Sequence, residues 1–319
     1  MAAYCRAGAI VVSILSVFAD VDRSWAAQTK PQDALVLVTS HWRETRMSSH
    51  GLVVGDGSLV VALYPAVFDE LAGGRHRLAK RVTVASPYWG DVADAEIVAS
   101  DARKHLAILQ VPWRGHPSLR LAGDKSIADA DRMMVVGMPR VIEMLSGKSR
   151  GPVDASALFQ EATAGVDYVA VREGKPSFVV LQGGGEISLP WAGTPILLPD
   201  TGRVAATVSS FLVNGGAEGE VLNRMGELVD RVRGVEPVTA SETEHPLTEN
   251  AREAFLLTVR IAALFGNEKY EETAAECRKL IELRPQCFYG YVYAAIAAEE
   301  LGQASEADRA VPGGCGSIA

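Results

Sequence analysis

Short apolar runs separated by turn residues occupy the chain from about residue 33 to residue 232. Gly55-Asp-Gly57 lies between two of these runs and is a strong tight-turn signal. Many short strands at regular spacing predict a β-barrel or a β-sandwich, and so a mainly β fold. The predicted strands cover residues 34–38, 51–54, 59–63, 82–85, 106–111, 133–136, 168–171, 178–181 and 204–208.

The apolar spacing becomes helical in the last third of the chain. Residues 218–232 place apolar side chains on one helical face, and the polar segment 233–247, which contains Pro237, predicts a linker. Beyond it, an all-α module is predicted over residues 248–310, with a flexible tail over 311–319. Its helices are expected at residues 251–265, 268–284 and 288–301, with a fourth from residue 303.

Two of these helices carry a repeat-like pattern. Tyr270 precedes an apolar stripe that ends before Pro285, and Tyr291 precedes alanines that end before Gly302. Small residues let paired helices approach closely, and proline ends a helix. The pattern resembles tetratricopeptide repeats, with a generic helical hairpin as the alternative. Because so few repeats are rarely stable alone, we expect them to dock on the β region or on a second protein.

The N-terminus has the features of an export signal. Arg6 precedes the apolar stretch 7–19, and small residues near Ala19 and Ala26 offer cleavage sites. The stretch is too short for a permanent membrane span, and a buried first helix is the alternative. Residues 1–26 are therefore predicted to be a signal peptide, and the mature chain to be periplasmic or extracellular.

The net charge, the cysteines and the histidines limit the ligands and partners that we expect. The formal net charge of −8 argues against a nucleic-acid partner, and we expect neither a cofactor nor a bound metal. The pairing of Cys277 with Cys287 stays open, since the mature chain would keep an odd number of cysteines with Cys315. The histidines lack metal-ligand spacing and are expected on the surface or in a satisfied core; they are His41, His50, His76, His116 and His245.

Three segments of the β region resemble the trypsin-like peptidase superfamily, in its HtrA/Deg-like bacterial branch. They are residues 51–67, 95–111 and 189–208, and Val135-Val-Gly-Met-Pro139 is similar to the opening strand of the family's second barrel. The resemblance implies two six-stranded chymotrypsin-like β-barrels, over about residues 33–120 and 121–217, followed by the helix at 218–232.

At the matched catalytic positions the chain departs from the family. Pro65 stands in place of the histidine base, His105 in place of the aspartate and Ala192 in place of the serine nucleophile. Pro190 has no N–H for the oxyanion hole. Since the mechanism needs a hydroxyl, an imidazole and a carboxylate, the resemblance implies a pseudoenzyme.

The sequence therefore predicts a non-catalytic, exported protein-binding or scaffold protein. Its partner would be a protein or peptide, bound through Tyr270, Tyr291 or Trp191, although Trp191 would also serve to fill the vacated cleft. The alternative is a serine-peptidase-like hydrolase with a rearranged active site. Thr194 with His105 as its base, or Ser149, would then supply the nucleophile.

Overall fold

The computed structural model describes residues 29–42, 46–71, 75–147, 153–182, 187–212, 215–236, 238, 249–285 and 287–303. The predicted signal peptide, the tail, most of the linker and the expected fourth helix lie outside these residues. No helix in the described ranges has the length and apolar character needed to cross a membrane.

The described residues of the β region contain fifteen strands. They are β1 Leu35–His41, β2 Arg46–Val54, β3 Leu59–Leu63, β4 Phe68–Leu71, β5 Arg75–Leu78, β6 Arg81–Ser86, β7 Asp91–Asp94, β8 Glu96–Asp101, β9 Leu106–Gln110, β10 Arg132–Gly137, β11 Gln160–Arg172, β12 Lys175–Leu181, β13 Pro195–Leu197, β14 Val204–Phe211 and β15 Ala217–Val221. Antiparallel pairing joins each neighbouring pair within the sheets. The mainly β prediction is confirmed.

The first half of the β region is a curved seven-stranded sheet with the order β7-β6-β1-β2-β3-β9-β8. The prediction of a six-stranded first barrel is wrong here. The segment that would form one closing strand is broken at Ala95, whose N–H donates to the Val82 carbonyl at 2.9 Å. Strand β7 before the break pairs with β6, and β8 after it pairs with β9. One segment therefore supplies both edges of the sheet, and the sheet curls to bring them together.

The second half is a closed six-stranded barrel with the order β10-β11-β12-β15-β14-β13, as predicted. The prediction of a helix from residue 218 is wrong, because β15 pairs with β12 and β14 over Ala217–Val221 and the helix begins at Gly226. Its interior is lined by apolar residues from several strands, including Val135, Val179, Ile196 and Ala206. A separate cluster fills the first sheet and continues to the second barrel through Val136 and Leu197. Strand β2 belongs to this cluster, and its last six residues are buried.

Within the described part of the chain six α-helices accompany the strands: α1 Asp124–Ala128, α2 Pro139–Leu145, α3 Gly226–Val232, α4 Glu249–Gly266, α5 Tyr270–Leu283 and α6 Phe288–Glu300. The last three pack on one another around Cys277 and Leu280. Helix α4 also places Phe255, Leu256 and Val259 in the core cluster of the first sheet. The helices are therefore docked on the β region, as expected for so small a helical unit; their repeat character stays a prediction.

Candidate functional site

The first two predicted triad positions lie close together on the surface. Pro65 is exposed within the 3₁₀ turn Tyr64–Ala66. His105 is exposed at the turn between β8 and β9, and its backbone has a left-handed conformation with φ 52°. The Tyr64 N–H donates to the His105 carbonyl at 2.7 Å, so the two segments are joined by their backbones.

The third position, Ala192, follows the 3₁₀ turn Leu189–Trp191 that contains Pro190. The Ala192 carbonyl accepts two hydrogen bonds from His50, one from the backbone N–H at 3.3 Å and one from Nδ1 at 3.1 Å. Since Nε2 of the same ring accepts from the Met138 N–H at 2.7 Å, His50 uses both ring nitrogens on backbone groups. Its imidazole therefore holds the loop in place and has no nitrogen left for acid–base work.

Thr194 does not have the setting of a nucleophile. Its side chain is fully buried, and its hydroxyl donates to the Trp191 carbonyl at 2.7 Å. That carbonyl cannot take a proton. His105 lies at an exposed turn and is not a hydrogen-bond partner of Thr194 within the described residues. Ser149, the other predicted nucleophile, lies outside those residues.

The three residues predicted to bind a partner have different surroundings. Trp191 is buried, with 5% of its surface exposed, and belongs to the core of the second barrel. Tyr291 is half-buried, and its hydroxyl donates to the Pro285 carbonyl at 3.0 Å. Tyr270 is half-buried with its ring edge against Phe265 at 5.6 Å. The structure does not bring them together on one face.

A serine–histidine pair occurs elsewhere in the first sheet. The Ser86 Oγ lies 2.7 Å from the His116 Nε2. The His116 Nδ1 lies 2.8 Å from the Pro117 carbonyl oxygen, which can only accept a hydrogen bond, so Nδ1 carries the proton. The Nε2 lone pair is therefore free to accept from the Ser86 hydroxyl. This gives a nucleophile, a base and a group that orients the base.

The turn predicted at Gly55-Asp-Gly57 positions the histidine. A Cβ at Gly57, where φ is +86°, would lie 2.4 Å from the His116 carbonyl oxygen, so the close approach requires glycine. The hydroxyl of Ser118 donates to the Gly55 carbonyl at 2.7 Å. Both contacts fix the His116 segment against the β2–β3 turn.

The serine is positioned by the turn that follows β6. The Gly90 N–H donates to the Ser86 carbonyl at 2.7 Å, and the Trp89 N–H donates to the Ser86 Oγ at 3.1 Å. The turn consists of Pro87-Tyr88-Trp89-Gly90 and joins β6 to β7.

Aromatic rings enclose the pair. Trp113 stacks on the His116 ring at 5.0 Å, and Trp89 lies at the same distance with its ring tilted by 57°. Ser86 and His116 are both fully buried. Burial lowers the pKa of His116 from 6.5 to about 4, opposed by its hydrogen bond to Pro117, so the imidazole is neutral at physiological pH.

A carboxylate cluster lies near the His105 turn. Burial raises the pKa of Glu220 to about 7, and the nearby charges of Glu218 and Asp101 add to the effect while Lys104 opposes it. Ser210 donates to Glu218 at 2.6 Å. Within the described residues no imidazole or hydroxyl donates a hydrogen bond to the Glu220 carboxylate, so the cluster lacks the components of a hydrolytic site.

Sequence reasoning missed the serine–histidine pair because the residues are 30 positions apart. His116 was predicted as a surface or satisfied core residue, and the latter is correct. A usable signal exists: Ser86 ends an apolar run before a proline, and His116 lies between Gly115 and Pro117. Both positions mark strand or loop ends, where functional side chains concentrate.

No family model matches the chain, and no curated protein does. Solved structures do match the chain. The crystal structure of Rv3671c protease from M. tuberculosis in its active form is 16% identical, with a TM-score of 0.46, covering 65% of this chain and 84% of that one. The structure of an inactive form is 17% identical, with a TM-score of 0.43, covering 65% and 90%. The closed barrel beside a curved sheet is similar to the chymotrypsin-like fold.

These comparisons contradict the prediction of a non-catalytic scaffold protein. One neighbour is the active form of Rv3671c protease, and the other is an inactive form of Rv3671c. Neither comparison is with a binding or scaffold protein. Export and the repeat character of the helices stay predictions.

Proposed function

We propose that the chain is a serine-dependent hydrolase with a rearranged site, in which Ser86 is the nucleophile and His116 the general base. The 2.7 Å hydrogen bond between the Ser86 Oγ and the His116 Nε2 supports this most directly. A serine hydroxyl is a weak nucleophile until a neutral base accepts its proton. The Pro117 carbonyl fixes the reactive tautomer, a role that a carboxylate has in serine triads.

The reaction follows from these atoms. The Ser86 Oγ attacks the carbonyl carbon of an ester or amide and forms a C–O bond while its proton moves to the His116 Nε2. The bond to the leaving alcohol or amine then breaks, and the leaving group takes that proton. Water, deprotonated by the same nitrogen, attacks the acyl-serine, releases the acid and restores Ser86. The Trp89 N–H, which donates to the Oγ at 3.1 Å, holds the Ser86 side chain in position.

The surroundings favour substrates with an apolar acyl group. Trp89 and Trp113 flank the imidazole, and Tyr88 lies 5.7 Å from it. Indole rings offer a large apolar surface to a ligand. The side chains that surround the His116 ring are aromatic, so a charged acyl group would lose its hydration there.

Turnover of p-nitrophenyl butyrate tests the proposal. We expect Ser86→Ala and His116→Asn each to lower kcat/KM by at least on the order of 100-fold. Ser40→Ala is the matched control, because Ser40 is also fully buried in this sheet and donates a single recorded hydrogen bond to the Ala66 carbonyl. Equal rates for Ser86→Ala and Ser40→Ala would overturn the assignment. A loss on Thr194→Ala alone would move the nucleophile to Thr194.

A further inference from the structure

The turn that carries Ser86 is covered by the C-terminal helices. Gly90 has φ +63°, and a Cβ there would lie 2.6 Å from the backbone oxygen of Ala251, in the first turn of α4. From the end of α5, the Arg284 Nη1 donates to the Gly90 carbonyl at 3.2 Å. Two helices therefore meet the same glycine of the hairpin.

Apolar packing connects this cover to the serine–histidine pair. Trp89, next to Gly90, packs on the core cluster that contains Phe255, Leu256 and Val259 of α4. On the inner side, the ring of Trp89 lies 5.0 Å from the ring of His116. Helix α4 also contacts strand β7, directly after the turn. The helices thus hold in place the residues that close the site.

The segment that these helices pack against has few contacts of its own. Strand β7 is an edge strand of only four residues, and its side chains are half-buried or exposed. Edge hairpins open at lower free energy than central strands, because fewer hydrogen bonds break. Without the helices, the turn at residues 87–90 would be the element free to move away from Ser86.

We propose that helices α4 to α6 form an autoinhibitory cover for the Ser86–His116 site. With the helices docked, the hairpin keeps both residues buried, and acyl groups reach the Ser86 Oγ only during brief openings of the turn. When the contacts at Gly90 are released, Trp89 moves with the turn and opens a path to the serine. This regulation rests on the proposed hydrolase function, since it acts on the same site.

Arg284→Ala in the full-length chain tests the cover, with Arg278→Ala as the control. Arg278 is an exposed arginine of α5 and makes none of the recorded hydrogen bonds. Two quantities are measured: amide hydrogen exchange at Trp89 and Gly90, and the rate at which a fluorophosphonate modifies Ser86. We expect Arg284→Ala to accelerate both several-fold and Arg278→Ala to leave both unchanged. Phe255→Ala, which removes apolar packing of α4, should act in the same direction.

The outcomes separate the two proposals. If Ser86 is modified at the same rate in wild type, in Arg284→Ala and in Phe255→Ala, the cover is overturned and the hydrolase function stands. If exchange accelerates while Ser86 is never modified, the hydrolase function is overturned, and its regulation with it. If amide hydrogen exchange at Trp89 and Gly90 is unchanged in both Arg284→Ala and Phe255→Ala, the helices do not hold the turn and the cover is overturned.

Discussion

His50 connects the two β units through Ala192, whose carbonyl oxygen lies 3.1 Å from the His50 Nδ1 and 3.3 Å from its backbone nitrogen. His50 belongs to β2 of the first sheet, and Ala192 to the loop before β13 of the second barrel. The His50 Nε2 accepts from Met138, next to β10, so one side chain holds two segments of the second barrel.

This buried imidazole makes stability depend on pH. Burial lowers the pKa of His50 from 6.5 to about 4 in the folded state. As pH falls below 6.5, the unfolded chain takes up the proton first, so the free energy of unfolding decreases until the pH reaches about 4. The full effect of one such group is about 3 kcal/mol.

We expect His50→Gln to be less stable than wild type at pH 7, with a difference that narrows between pH 6.5 and 4, because glutamine has no proton to gain. Denaturant unfolding of both proteins across this range measures it. A difference that stays constant with pH would contradict the burial of a neutral His50. Subtracting the two curves also removes the contributions of Asp33 and Glu220, whose pKa values burial raises to about 6 and about 7.

The approach of Gly193 to His50 predicts a large effect of a single methyl group. Gly193 has φ +81°, and a Cβ there would lie 2.5 Å from the backbone oxygen of His50. Gly147 has φ +71° with no neighbour within 4 Å of a Cβ, so it shares the backbone strain without the clash. We expect Gly147→Ala to cost about 1 kcal/mol of unfolding free energy, and Gly193→Ala roughly 1–3 kcal/mol more. Equal losses would show that the loop accommodates the methyl group.

An ion pair joins α4 to α5. The Arg260 Nη1 lies 3.1 Å from the Glu276 Oε2, and only 12% of the Glu276 side chain is exposed. We expect Glu276→Gln to lower the free energy of unfolding by about 1 kcal/mol, because it weakens a charge-assisted hydrogen bond that water does not screen fully. Glu272→Gln is the control, since Glu272 is 58% exposed in its pair with Lys269. Thermal unfolding of both variants should show a shift only for the first.

The helical cysteines are free thiols of unequal exposure. Burial raises the pKa of Cys277 to about 12, while Cys287 is half-buried. Since the thiolate is the reactive form, we expect iodoacetamide to leave Cys277 unmodified in the native protein at pH 8 and to modify it after denaturation. Mass spectrometry of the two peptides checks this, with Cys287→Ser simplifying the assignment. Rapid native alkylation of Cys277 would contradict its burial.

Strand positions were predictable from the sequence where β-branched residues form a run between turn signals. The run at residues 59–63 matches β3, and that at 106–111 matches β9 within one residue. Strand β11 extends to 13 residues although only 168–171 was predicted, because its first half contains alanines, threonine and glycine and gains its conformation from pairing with β10. The β4–β5 hairpin was missed for a similar reason, since charged residues occur within it.

The site was less predictable than the fold. Alignment of motifs placed Pro65, His105 and Ala192 at family positions, but the hydrogen bonds of His50 and the Ser86–His116 pair depend on strands far apart in the chain. A periodic pattern reports which face of an element is buried. It does not report which polar groups meet inside, and that requires the register of every strand between them.

The proposal that Ser86 is a nucleophile is tested most directly by covalent labelling. The full-length chain and its Arg284→Ala variant are treated with a fluorophosphonate, digested and mapped by mass spectrometry. We expect one phosphonyl adduct on Ser86 that is absent in Ser86→Ala, retained in Ser40→Ala, and formed fastest in Arg284→Ala. An unmodified Ser86 in every one of these proteins would contradict it.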